Sequence, residues 1–293
     1  MQKSENIVFM KLRFILLHIG SLGVFFVKFK LSLLWLFMIS FFIKAFGFEA
    51  GYHRYFAHKS FKTSRIFQCI LAFLGAAGGY RGPLWWAAYH RFHHRYADTK
   101  QDIHSPSHHS FWYAHMGWFF NKTILDTDFK RVKDFAKFPE LVFLNKYHYI
   151  CPIVILIAMY FLGEKTSLMG SDVNGLQCVI YGFFLSTLLG LHTTFAINSI
   201  AHRQTCLGVR RFSTKDMTRN ISFLALPSMG GAWHNNHHRF ASSARAGFYW
   251  WEIDLAYYML KILEFFKIIW QVRGVPAHIL AEGRLIIDHR KIT

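Results

Sequence analysis

Apolar residues gather along this chain into runs instead of alternating with polar ones. Four runs read as membrane crossings, at 14–27, 31–48, 149–163 and 176–200. A helix needs about 20 apolar residues to cross a bilayer. The first and third runs are short, so flanking Arg13, Lys28 and Lys165 must snorkel or the bilayer must thin. Polar breaks near 28–30 and 164–174 pair the runs into two hairpins. Two further apolar segments do not read as spans: 66–80 is short and ends in Gly78-Gly79, and 248–270 carries Glu252, Asp254, Lys261, Glu264 and Lys267. In the latter, Leu255, Tyr258, Ile262, Phe265 and Ile269 recur at helical spacing beside the charges. That pattern predicts an amphipathic helix lying on a membrane or on the protein's own core.

Composition agrees with a membrane protein, since 53% of the 293 residues are hydrophobic and 18% aromatic, more than a soluble domain needs. No Pro-, Gly- or Ser-rich linker divides the chain, so 1–293 reads as a single domain. The expected fold is an all-α integral membrane protein with four transmembrane helices in hairpins at about 14–48 and 149–200. A cytoplasmic helical cap is expected at about 49–148 and 201–293. The net charge of +18 on a soluble protein would point to nucleic acid. Here 31 of the 34 Lys and Arg residues fall on one side of a two-hairpin topology, which assigns that side to the cytoplasm and removes nucleic acid as a partner. The apolar stretch near the N-terminus lacks a small-residue cleavage signal and reads as retained. Cys69, Cys151, Cys178 and Cys206 form no CxxC pair and read as core residues.

Histidine is the unusual residue, with 18 copies, and they cluster. His53 and His58 form an HxxxxH motif, His90, His93 and His94 an HxxHH box, and His234, His237 and His238 an HNNHH box. Asn198 and His202 close the fourth run. The two-hairpin topology places all four groups at one face. On an α-helix, positions i, i+3 and i+4 share a face, so each HxxHH box aims three imidazoles at one point. His53 and His58 diverge by about 140° on a helix of 3.6 residues per turn, so they flank a site or sit where a helix ends. Nine imidazoles exceed what one ion can hold, and two metals would use them, with Asn198 holding a water.

Neutral imidazole suits Fe, Zn, Cu and Ni, while the absence of thiolates disfavours structural zinc and the absence of clustered carboxylates disfavours Mg or Ca. Iron is the choice, because two irons at a membrane surface activate O2 and abstract hydrogen from an unactivated C–H bond. A single HxxHH box is weak evidence; the conjunction of four groups on one face is strong. His18 reads as a core residue, His192 as a supporting neighbour of the ligands, His115 as structural, and His104, His108 and His109 as loop residues. Trp85, Trp86, Trp112, Trp118, Trp233, Trp250 and Trp251 read mainly as an interfacial belt, with some walling an apolar acyl tunnel.

With these motifs in this order, from about Gly47 to Pro276, the chain resembles the membrane-bound fatty acid desaturases of the stearoyl-CoA desaturase type. The stretch from His234 to Asp254 looks more like the bacterial and cyanobacterial branch. The resemblance implies a four-span helical fold with a cytoplasmic cap, two irons on the nine histidines, and Asn198 contributing through water. It implies O2-dependent insertion of a cis double bond into a saturated acyl chain, with no residue nucleophile or general base. Electrons would come from a separate donor, cytochrome b5 or a ferredoxin with its reductase. The location implied is the inner or plasma membrane of a bacterium, or the endoplasmic reticulum of a eukaryote. Trp86 and Thr194 match family residues that shape the tunnel bend, while Tyr80 stands where Gln is usual.

Other departures concern the head group. The family's Trp-Ala-Arg-Asp reads Trp86-Ala87-Ala88-Tyr89, and an Arg-Lys phosphate pair reads Asn121-Lys122, leaving Lys122 as the cation toward substrate. Phosphate recognition relies on charge-assisted bonds, so an acyl group on glycerolipid or carrier protein competes with acyl-CoA as substrate. Before the third box the usual Gly-Glu-Gly reads Gly230-Gly231-Ala232, which implies reduced carboxylate support for the ligand histidines. The alternatives to desaturation are a lipid-chain hydroxylase with the same metals and a non-catalytic metal-binding membrane protein. HxxxxH spacing favours the desaturase over the hydroxylase, and ligands at one face disfavour a transporter, whose ligands would line a path through the bilayer.

Overall fold

The computed structural model describes residues 6–203 and 207–292, without the side chains of 286–292; Cys206 lies outside the described residues. The structure is mostly helical. Among the described residues, its one ladder is a two-residue antiparallel pair, Lys62–Thr63 with Ile269–Trp270.

Among the described residues, three helices are long and apolar enough to cross a membrane: Ile7–Phe25, Leu31–Ala57 and Gly175–Ala201. The first starts well before the expected position because Asn6 caps it, its Oδ1 accepting from the Val8 amide at 2.9 Å. The short first run thereby becomes a 19-residue helix. The third expected run is only Ile150–Lys165, and it reaches spanning length by joining Pro139–Lys146 across a bend of 73°, so the structure holds three to four candidate spans. The segment Arg65–Ala77 is a 13-residue apolar helix too short to cross, as expected. It packs closely on the second span, since a Cβ at Gly47 would lie 2.5 Å from Leu74 Cβ.

The amphipathic helix runs Leu255–Phe265. It buries Ala256 and Leu260 and leaves Tyr258, Ile262 and Phe265 exposed, an apolar face suited to a membrane surface. Two of the charges set beside it face inward: Glu252 and Asp254 are fully buried. Cys151 and Cys178 are buried and Cys69 is partly buried; all three are free thiols. Lys44 lies inside the bundle. Its ammonium donates to Ser186 Oγ at 2.7 Å, Thr187 Oγ1 at 2.8 Å and the Gly182 carbonyl at 3.2 Å.

The second span changes its winding where the first histidine motif begins. Leu31–Phe46 is α-helical and Gly47–Ala57 continues it as a π-helix. A π-helix bonds residues five apart, and the His58 amide donates to the His53 carbonyl at 3.2 Å. The divergence expected of an α-helix is therefore corrected, while the motif does sit where a helix ends, since His58 is the cap of Gly47–Ala57. Five residues complete about one turn of this winding, and the two rings lie 5.0 Å apart on one face. The Gly175–Ala201 span likewise ends in a π-helical turn, Ile197–Ala201, which carries Asn198 and leads to His202.

Candidate metal centre

The nine box histidines converge as two adjacent groups. His53, His58, His90, His94 and His237 form one, and His93, His202, His234 and His238 the other; within each, one ligand atom per residue lies within 4.8 Å of every other. The helix Pro83–Tyr96 explains the sharing. It sends His90 and His94, one turn apart, to the first group and His93 to the second. The short helix His234–Arg239 divides in the same way, with His237 in the first group and His234 and His238 in the second.

The nitrogens of the first group fit a cation better than one another. His90 Nε2 lies 2.9 Å from His58 Nε2 and 3.0 Å from His94 Nε2. His237 Nε2 lies 2.9 Å from His53 Nε2 and 3.0 Å from His94 Nε2. A ring nitrogen has one proton or one lone pair and satisfies one such contact, whereas His90, His94 and His237 each face two. Lone pairs converging on one cation remove the conflict. In the second group, His238 Nδ1 faces Asp216 Oδ2 at 2.8 Å, which leaves Nε2 buried and without a hydrogen-bond partner. Such an orphaned buried acceptor fits a metal ligand.

Carboxylates surround the site but face outward nitrogens. His53 Nδ1 donates to Glu49 at 2.8 Å, His93 Nδ1 to Asp102 at 3.0 Å, and His202 Nδ1 to Asp98 at 3.1 Å. Each bond places the ring proton on Nδ1 and leaves Nε2 as a lone pair directed inward. Beside Gly231, Glu49 supplies a carboxylate to His53 from the span itself, while His234 Nδ1 in the third box is buried without a hydrogen-bond partner. Asp98 and Asp102 stand directly after the second box, a placement the histidine spacing alone does not mark.

Electrostatics favour neutral ligands. Burial, reinforced by neighbouring imidazoles, holds His58, His90, His94, His234 and His237 well below the usual histidine value. Burial also lowers His93 to about 3, against the pull of Asp102. His202 moves upward, since Asp98 outweighs its burial. The three aspartates stay ionised: burial opposes their charge, and the adjacent imidazoles outweigh it.

Asn235 and Asn236 of the third box turn away from the centre and anchor the helix. Asn235 Oδ1 accepts from the Arg211 and Phe212 amides at 2.8 and 2.7 Å. Asn236 Nδ2 donates to Glu252 Oε2 at 2.8 Å, and Glu252 also pairs with Arg211. His104, read above as a loop residue, is buried. It shares Asp102 with His93 at 3.0 Å and packs edge-on against Trp118 at 5.0 Å. His192 bonds to no box histidine among the described contacts. It joins His115 at 3.0 Å and His18 at 3.1 Å, and His115 reaches Ser199 at 2.9 Å, tying Ile7–Phe25 and Gly175–Ala201 to the short helix Phe111–His115.

A narrow cavity of about 40 Å³ adjoins the centre, lined by Tyr80, Trp86, His90, His93, Thr194 and Asn198, among aromatic neighbours. Trp86 stacks on His90 at 4.4 Å, and Tyr80 and Thr194 join their hydroxyls at 3.0 Å. Three of the four expected substrate residues therefore meet at one wall. Lys122 is exposed in a short turn and lines none of the cavities described. At the positions where the head-group Arg and Asp were missing, Ala88 is fully buried and the Tyr89 hydroxyl donates to the Asp126 carbonyl at 2.9 Å.

The arrangement suits oxidation of an apolar chain held beside two metals, and similarity to known proteins agrees. Residues 9–271 match the family model described as fatty acid desaturase. The chain is 33% identical to Delta-9 acyl-lipid desaturase 2 of Arabidopsis thaliana, over 87% of this chain and 78% of that protein. It is 32% identical to sn-1 stearoyl-lipid 9-desaturase of Anabaena variabilis, over 86% and 88%. It is also 32% identical to acyl-CoA C20 Delta5-desaturase of Anemone leveillei, over 80% and 71%. The chain belongs to the fatty acid desaturase family and is an oxidoreductase that desaturates fatty acyl chains.

Proposed function

We propose that the nine histidines hold two irons, five ligands on one and four on the other, with Asn198 completing the second through a water. The observation that carries this reading is the pair of imidazole groups, with lone pairs turned inward, at the wall of an aromatic cavity. Two irons, when bound, supply the O2 activation and hydrogen abstraction that side chains cannot. The protein's residues do the rest. Glu49, Asp98, Asp102 and Asp216 set the ring orientations, and Trp86, Tyr80 and Thr194 shape the wall against which the acyl chain bends.

The overall reaction removes two hydrogens from the acyl chain and reduces O2 to two waters, using two electrons and two protons. The electrons come from a separate one-electron carrier, cytochrome b5 or a ferredoxin with its reductase. The substrate we favour is an acyl chain on a membrane glycerolipid, with acyl-CoA or a carrier-bound acyl chain as the competitors. The loss of charge at Ala88 and Tyr89 supports that order, as does the exposure of Lys122 away from the cavity. We place the spans as two hairpins, with 1–293 one domain and the histidine face in the cytoplasm. The charge distribution supports that sidedness.

The test is mass spectrometry of lipids, acyl-CoA and carrier-bound acyl groups from a host expressing the chain, beside a His93→Ala control. A new unsaturated species, absent from the control and appearing first in glycerolipid, is expected. Unsaturated product undiminished in the control overturns the ligand assignment, a hydroxylated product overturns desaturation, and first appearance on CoA or carrier protein overturns the head-group assignment.

A further inference from the structure

We propose that Glu49 is the positioning residue for His53, and that positions 49 and 231 act as one exchangeable pair that delivers a single carboxylate to this part of the centre. The inference rests on reading the five-histidine group as an iron site. Glu49 is buried one helical step before His53. Its Oε1 accepts from His53 Nδ1 at 2.8 Å and from Arg54 Nε and Nη2 at 3.1 Å each. Its other oxygen faces the backbone of Gly231: a Cβ built there would lie 2.7 Å from Oε2 and 3.2 Å from Cδ. A side chain at 231 and the Glu49 carboxylate therefore compete for the same space. A glutamate at 231 would carry its own carboxylate into that space once residue 49 was shortened.

A merely structural role is the rival, since Glu49 also neutralises Arg54. That arginine has a second acid, Asp254 Oδ1 at 2.9 Å, so its charge is not left alone when Glu49 is removed. Metal affinity separates the two roles, because carboxylates behind ligand histidines typically account for 10–100-fold in affinity.

The experiment titrates ferrous iron anaerobically into the purified full-length protein and its variants, with Mössbauer spectra to distinguish the two irons. E49T is expected to bind iron at the five-histidine group roughly 10–100-fold more weakly, leaving the other group unchanged. E49T/G231E is expected to recover most of that loss and E49T/G231A none of it. The isosteric E49Q, which keeps the packing, is expected to fall between wild type and E49T. Wild-type affinity in E49T or E49Q, at unchanged melting temperature, overturns the proposal, as does a double variant with Glu at 231 no better than the one with Ala. Wild-type protein that binds no iron at the five-histidine group overturns the underlying iron assignment instead.

Discussion

The first histidine group has five imidazoles and one carboxylate behind them, Glu49; the second has four imidazoles and three carboxylates, Asp98, Asp102 and Asp216. The difference follows the backbone. The first group takes His53 and His58 from one π-helical turn and His90 and His94 from one α-helical turn, so helix geometry itself aims the rings. In the second, His202 stands past the end of its span, and His234 and His238 belong to a helix of only six residues. Side-chain bonds add to the backbone there: Asp98, Asp102 and Asp216 each fix a ring through Nδ1, including that of His93 on the longer helix Pro83–Tyr96. Asp98 does more, since its Oδ2 also accepts from the Met217 amide at 2.8 Å and pins the returning loop.

The largest effects should come from the ligands themselves. His58→Ala in the first group and His234→Ala in the second should each eliminate detectable unsaturated product and leave about one iron per chain, beyond the roughly 100-fold loss typical of outer-sphere changes. Metal analysis beside lipid mass spectrometry checks this, and a variant that keeps both irons would remove its residue from the ligand set. Next in size, Asp216→Asn and Asp102→Asn should each weaken iron binding at the second group by roughly 10–100-fold and leave the first unchanged. Equal loss at both groups would break the comparison.

Acid should act on both groups before metal is added. The buried histidines lie below their unfolded value near 6.5, so the unfolded chain takes up protons that the folded chain refuses. Their contribution is fully present above that pH, and stability falls as pH drops below it. His202, raised by Asp98, has the opposite sign and offsets part of the loss, in the second group alone. Thermal melting of metal-free protein between pH 7.5 and 5 measures the net slope; rising stability on acidification would contradict it. The smallest effect belongs to the cavity wall. Thr194→Val removes the bond to Tyr80 and should cost about 1 kcal/mol, with the altered bend read as a change in double-bond position by derivatised mass spectrometry.

Much of the site was legible in the amino-acid sequence because its chemistry is local. HxxHH places three imidazoles on one helical face wherever a helix forms, and apolar runs of spanning length announce a membrane before any contact is known. What the spacing could not reveal was a change of winding. His53 and His58 diverge on an α-helix and converge because Gly47–Ala57 is π-helical, and that segment packs closely on Arg65–Ala77. Nor did it identify the outer carboxylates. Asp216 reaches His238 from 22 positions away, and an aspartate in a loop carries no periodic signal.

The sequence by itself determined the candidate ligand histidines, their number and their gathering at one end of apolar helices, since these follow from residue chemistry and helical period. Tertiary structure alone decided how nine imidazoles divide into five and four, which nitrogen each turns inward, and that an acid at position 49 occupies the space beside Gly231. Those are matters of a few ångströms between segments far apart in the chain. They are set by close packing of the spans and by buried hydrogen bonds, which no single segment contains.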